Sequence, residues 1–273
     1  MPNCVICGRE LPSPNEPNNT CPQCRATIAR QHLPPVPSAP RQSVSFSRVP
    51  LTTAIIAVNV LVFVAMTLTG VSPVHPGLED LVKWGADVGT FTLLRQPWRM
   101  LTSNYVHDGI LHIGFNMWCL WSLGALAERI FDRWTYFFTY CFCGLGGSLA
   151  SIVIHPNGEG VGASGAIFGV AGALIAALYL GHLPVHPGAL KATLKSLLSF
   201  AAYNLIFGAL IPGIDNSAHV GGLLTGLAIG GALAPHLASP PEERSAWNRW
   251  ILAASACLLL LAFYVARHFA TPL

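Results

Sequence analysis

Charge is what this chain has least of. Of its 273 residues, 15 are Lys or Arg and 12 are Asp or Glu, 10% in all, where soluble globular domains carry about 25%. So few ionised groups exclude an ordinary soluble globular domain of this size. The net charge of +3 is small and the basic residues are dispersed, which excludes the clustered positive footprint of a nucleic-acid binder. The first thirty residues hold no basic start followed by an apolar stretch, so no secretory signal peptide is expected and the N-terminus should stay on the side where it is made.

In place of charge the chain is 52% hydrophobic. Seven charge-free apolar runs stand out, at Leu51–Leu68, Ile110–Leu126, Tyr136–Ile154, Gly165–Leu180, Leu197–Ile211, Ala218–Ala234 and Ile251–Val265. Spanning a bilayer takes about 20 residues as a helix. Several runs are slightly short, but Thr, Trp, Gly and Tyr beside them extend them, so the expected fold class is an all-α polytopic membrane protein with about seven transmembrane helices. Of the 15 basic residues, 11 precede the first run or follow the second, fourth and sixth, and only Lys83, Arg95, Arg99 and Arg267 lie on the other side. The positive-inside rule then places the N-terminus in the cytoplasm and the C-terminus outside, with a plasma (inner) membrane as the expected location. The long connection from Thr69 to Asn104 carries Trp84, Phe91 and Trp98 and reads as interfacial helices and turns.

Eight cysteines fall into two sets. Cys119, Cys141, Cys143 and Cys257 lie in apolar runs and read as small hydrophobes. Cys4-x-x-Cys7 and Cys21-x-x-Cys24 are two knuckles at the spacing of a four-thiolate zinc ribbon. Disulfides or redox dithiols are the competing reading, disfavoured by a cytosolic position. Four thiolates would leave no open coordination position, so one structural zinc is expected, and no cofactor for catalysis. The module could bind a partner of unknown kind. From Gln31 to Pro50, Pro and Ser dominate without apolar period, as in an extended linker. The expected divisions are therefore a zinc-ribbon module at 1–30, a linker at 31–50, a six-span domain at 51–236, and a loop with a seventh span at 237–273.

Polar residues inside the apolar runs are functional candidates by default. His112 and Asn116 are i and i+4, about 40° apart on a helix, so they share a face. Ser164 opens the fourth run, in Gly162-Ala163-Ser164-Gly165, and Gly165, Gly169 and Gly172 behind it make one narrow stripe. The sixth run answers with His219 above Gly222, Gly226 and Gly230. Small-residue stripes let helices approach closely, and packing these two would bring Ser164 to His219. A hydroxyl with a histidine base is the minimum for nucleophilic acyl transfer. The side chains of His112 and Asn116 and the Ser164 N–H are the groups available for an oxyanion. Asp215 precedes His219 by four residues but sits in a turn, as Asp ordinarily does, so a dyad is preferred to a triad. Glu128 and Asp132 read as helix-terminal charges paired with Arg129 and Arg133.

These residues together resemble the rhomboid family of intramembrane serine proteases over roughly Leu51 to Pro235. The family's G-x-S-G falls on Gly162–Gly165, its A-H-x-x-G-x-x-x-G on Ala218, His219, Gly222 and Gly226, and its H-x-x-x-N on His112 and Asn116; Trp98-Arg99 match the W-R pair of its first loop, and His107 its earlier histidine. The resemblance implies Ser164 as nucleophile, His219 as general base with Phe168 packed against it, and His112 and Asn116 at the oxyanion hole. It also implies transmembrane protein substrates in the lipid bilayer, cut near the outer boundary, with the fifth span and first loop admitting them. A catalytically silent relative that only binds membrane proteins is the alternative; intact Ser164 and His219 argue against it. One departure is Asp132, which stands where the family's G-x-x-x-E-x-x-x-G has its second glycine after Gly124 and Glu128.

Overall fold

The computed structural model describes residues 2–31 and 49–270. The chain divides into two compact units, Met1–Ser43 and Val44–Leu273. The linker expected at 31–50 lies, apart from its end residues, outside the described residues.

In the first unit the backbone turns at Cys4–Cys7 because Gly8 takes a φ of +72°, a region glycine enters without a Cβ penalty. Its N–H donates to the Cys4 carbonyl at 2.9 Å, and an Asn3–Glu10 bridge closes the knuckle. The second pair flanks the start of α1 (Pro22–Gln31). Among the described residues the buried apolar core of this unit is Cys4, Leu11 and Cys21. So small a core needs a metal or cross-link to be stable.

The second unit is built from helices α2 (Pro50–Leu68), α3 (Leu78–Lys83), α4 (Gly89–Arg95), α5 (Arg99–Thr102), α6 (Ile110–Ile130), α7 (Arg133–Ile154), α8 (Ser164–Leu180), α9 (Pro187–Leu210), α10 (Asn216–Leu233) and α11 (Pro241–Phe269). A two-stranded antiparallel pair, β1 (Asp87–Val88) with β2 (Glu159–Gly160), joins the first loop to the segment before α8. Among the described residues six helices are long and apolar enough to cross a membrane, namely α2, α6, α7, α9, α10 with its 3-10 extension, and α11. The seventh expected span, α8, has 17 residues and rises about 25 Å against a hydrocarbon core of about 30 Å. It is the central helix, with 13 of those residues buried.

Two helices begin ten residues before the apolar runs that announce them. The fifth span starts at Pro187 and the seventh at Pro241, so Lys191, Lys195, Arg244 and Arg249 sit on helical turns and not in loops. Proline fits the first turn of both, and Glu242 and Glu243 favour the N-terminal end of the last. The charge-free run marks only the apolar part of each helix; the helix itself continues beyond it.

Glu128 and Asp132 also differ from expectation. Neither is ion-paired with Arg129 or Arg133 among the described residues; both cap helices instead. Glu128 accepts the free N–H groups of Leu51 (2.9 Å) and Thr52 (3.0 Å) at the start of α2. Asp132 accepts from Trp134 and Thr135 at the start of α7, and from Asn248 of α11 at 2.7 Å. Burial alone would raise its pKa, but hydrogen bonds from Thr135, Asn248 and Trp134 outweigh that and hold it below the usual carboxylate range. Asp132→Ala removes the cap and the α11 tether together. It should lower stability by about 1–2 kcal/mol, read as a lower unfolding temperature of the detergent-solubilised protein; no change would remove this role.

Candidate active site

The close approach of α8 and α10 is written in their glycines. A Cβ on Gly222 would lie 2.0 Å from the Gly165 carbonyl oxygen, one on Gly226 1.8 Å from that of Gly169, and one on Gly230 2.3 Å from that of Ala173. Backbone meets backbone along three turns. On the other side, a Cβ on Gly172 would lie 2.4 Å from the Leu223 carbonyl oxygen.

This contact brings His219 to Ser164, with Nε2 and Oγ 2.9 Å apart. Phe168, one turn along α8, stacks on the imidazole at 4.3 Å between centroids and 12° between planes, and Phe200 of α9 packs behind it at 5.4 Å. The other ring nitrogen, Nδ1, lies 3.2 Å from Asn216 Oδ1. Asn216 is itself oriented, because its Nδ2 donates to the Leu205 carbonyl of α9 at 2.9 Å. With the amide nitrogen committed there, Oδ1 must accept, so Nδ1 carries the proton and Nε2 is free to take one from Ser164. Asn216 is a residue the sequence reading did not single out; beside Asp215 in a turn it looks like an ordinary capping residue. Asp215 does not touch the imidazole. It caps α10 through Ser217 N at 2.9 Å and Ala218 N at 3.2 Å, and accepts the hydroxyls of Ser217 and Ser151.

His112 and Asn116 of α6 face the loop before Ser164. Gly162 has a φ of +107°, and a Cβ there would lie 2.6 Å from His112 Nε2 and 3.8 Å from Asn116 Nδ2. Only glycine fits, in conformation and in space. His112 Nδ1 accepts from the Asp108 N–H at 3.3 Å, so its Nε2 is the donor, on the Gly162 side. Asn116 Nδ2 spends one hydrogen on the His112 carbonyl at 2.9 Å and keeps one. The Ser164 N–H lies in the first turn of α8, where no helical carbonyl reaches it. Ala163 is wholly buried, and Gly165 backs onto α10. His107 is buried edge-on to His112 at 5.2 Å, and burial holds it neutral, with its pKa pushed down to about 3. Ser164, His219, His112, Asn116, Gly162 and Gly165 all line one cavity of about 720 Å³.

The four head cysteines present sulfur atoms all within 4.8 Å of one another. Cys7 and Cys21 are 3.7 Å apart and all four are free thiols, whereas a disulfide needs about 2.05 Å. Four thiolates on one zinc, each at about 2.3 Å, would stand about 3.8 Å apart. The Cys4 sulfur accepts the Cys21 N–H at 3.3 Å, and N–H groups of Cys21, Cys7 and Ile6 pull its pKa down to about 6. The donor set fits a zinc ion.

A bundle of apolar helices long enough to cross a membrane, with a serine bonded to a histidine inside it, defines a polytopic membrane protein with a polar centre. The comparisons carry this further: the rhomboid domain matches residues 94–236. The rhomboid protease GluP of Bacillus subtilis is 36% identical over 178 residues, which is 65% of this chain and 34% of that protein. RHOMBOID-like protein 4 of Arabidopsis thaliana is 34% identical over 56% of this chain and 38% of its own length. The rhomboid protease AarA of Providencia stuartii is 29% identical over 81% of this chain and 84% of its own length. The chain thus spans little more than a third of the first two relatives. It belongs to the rhomboid family and is an integral, multi-pass membrane protein.

Proposed function

We propose that the chain is an intramembrane serine endopeptidase that cuts transmembrane proteins near their outer membrane boundary. The observation that carries this is the 2.9 Å bond between His219 Nε2 and Ser164 Oγ at the start of the buried helix α8. His219 takes the hydroxyl proton as Ser164 attacks the scissile carbonyl, then returns it to the leaving amine. The developing oxyanion is received by His112 Nε2–H, the second Asn116 N–H and the Ser164 N–H, aided by the positive end of α8. Water deacylates the enzyme from the outer side. In this reading the N-terminus and its head face the cytoplasm. The test is reconstitution of the purified protein with a single-span reporter in vesicles. Two fragments meeting a few residues inside the outer boundary are expected, and an uncut reporter in every orientation would overturn the reading.

Asn216 is the positioning residue for the base. Asn216→Ala should lower kcat by about tenfold, the scale of one lost hydrogen bond, with KM unchanged, because the imidazole loses its preferred tautomer and not its substrate. A change in KM alone would contradict it.

The head is proposed to hold one structural zinc through Cys4, Cys7, Cys21 and Cys24. A bound zinc would supply folding energy and no chemistry of bond cleavage. Metal analysis of the purified chain should find about one zinc, lost in Cys21→Ser; four thiols paired as disulfides without metal would refute it.

A further inference from the structure

Among the described residues, the cavity that holds Ser164 and His219 is lined by four carboxylates, Asp87, Asp108, Glu159 and Asp215, and by no lysine or arginine. Asp87 is the unusual one. It is 2% exposed, and neither carboxylate oxygen has a hydrogen-bond partner. Thr92 and Gly89 lie near it and oppose the rise in its pKa, and the Thr92 oxygen accepts from Val88 N at 2.7 Å. Arg99 is the cation on this side and opposes the rise; its Nη1 donates to the carbonyls of Val82 and Ala86 and its Nε to Gln96. Burial pushes the Asp87 pKa up to about 7, and the nearby Asp215 adds to the rise. Asp215 is held below the usual range, since hydrogen bonds from Ser151, Ser217 and Ala218 outweigh its burial.

Register fixes where this carboxyl stands. Asp87 pairs with Gly160 across β1–β2, and a Cβ on Gly160 would lie 3.4 Å from Asp87 Cβ and 3.9 Å from Ser151 Oγ. Ser151 in turn donates to Asp215. The chain from Gly160 to Ser164 is four residues, at most about 14 Å fully extended. An uncompensated buried acceptor pair beside a second anion is costly, and a cation placed there would form charge-assisted bonds with both oxygens. Two features favour an ammonium or guanidinium group over a divalent metal ion. Calcium takes six to eight oxygens, whereas the Asp87 carboxyl offers two, and both Asp215 oxygens already accept from Ser151, Ser217 and Ala218. The cavity is also the one into which a substrate segment must enter to meet Ser164.

We propose that Asp87, with Asp215 behind Ser151, forms a subsite for a lysine or arginine side chain of the substrate, within about four residues of the bond that is cut. The proposal rests on the protease reading. It predicts that this enzyme selects transmembrane proteins bearing a basic residue beside the cleavage site.

The experiment uses the full-length protein in detergent micelles, a fluorophosphonate probe, and competing acylated tetrapeptide chloromethyl ketones. These end in alanine and carry Lys, Arg, Ala or Glu at each of the other three positions in turn. At one position Lys and Arg should outcompete Ala by about tenfold, the scale of one bond to a charged group, with Glu weaker than Ala. That ratio should fall to about one in Asp87→Asn and in Asp87→Ser, each read against its own alanine compound, and should persist in Asp87→Glu. No basic preference in the parent, or one that survives in either neutral variant, overturns the subsite. So does a preference present only with added divalent metal and removed by chelator, which would mark a metal site. Absence of probe labelling in the parent overturns the protease reading itself, and the subsite with it.

Discussion

Ser164→Ala is expected to abolish turnover, a loss of about 10⁴-fold or more, leaving a protein that folds and binds as before. The methyl group retains the small volume that the top of α8 requires and removes only the oxygen 2.9 Å from His219 Nε2. His219→Ala should lose a similar amount, since the hydroxyl is a poor nucleophile without its base. The double variant should be no worse than either single one, because the two side chains act as a unit. The measurement is cleavage of a single-span reporter in proteoliposomes, with thermal unfolding as the control for folding. Losses that add in the double variant would mean two independent roles and no shared proton.

Gly226→Val is expected to destroy activity without touching any reacting group. A Cβ at that position would stand 1.8 Å from the Gly169 carbonyl oxygen and 2.8 Å from its Cα. The obstacle is backbone, which cannot swing aside as a side chain does. Either α10 moves out, carrying His219 away from Ser164, or the bundle fails to form. The destabilisation should reach about 3 kcal/mol or more, the upper range of overpacking. Alanine should be damaging too, and less so. Yield of folded protein, unfolding temperature and reporter cleavage should fall together. A stable and active Gly226→Val protein would show that these helices have room the structure does not give them.

What was legible beforehand follows from physical constraint. Lipid enforces apolar runs, so α2, α6 and α7 could be placed from Leu51, Ile110 and Tyr136 to within a few residues of their observed starts. Close helix contact enforces small residues at helical period, so the stripes at Gly165–Gly172 and Gly222–Gly230 could be paired on sight. The starts of α9 at Pro187 and α11 at Pro241 were hidden because no rule of hydropathy says where a helix ends in water. Glu128 and Asp132 were misassigned because a carboxylate beside arginines looks paired, and only the fold reveals that Leu51 and Trp134 present N–H groups to them. Asn216 and Asp87 lay beyond sequence reasoning for a related reason. Each matters through a partner on another element, Leu205 of α9 and Gly160 of β2 respectively, and an isolated polar residue carries no period to announce it.

In the proposed mechanism Ser164 is made nucleophilic by His219, whose Nε2 lies 2.9 Å from the serine oxygen. This is tested most directly by treating the full-length protein with a fluorophosphonate and locating the adduct by mass spectrometry. The account predicts one adduct, on Ser164, absent in Ser164→Ala and strongly reduced in His219→Ala. An adduct on another residue, or undiminished labelling in Ser164→Ala, would contradict it.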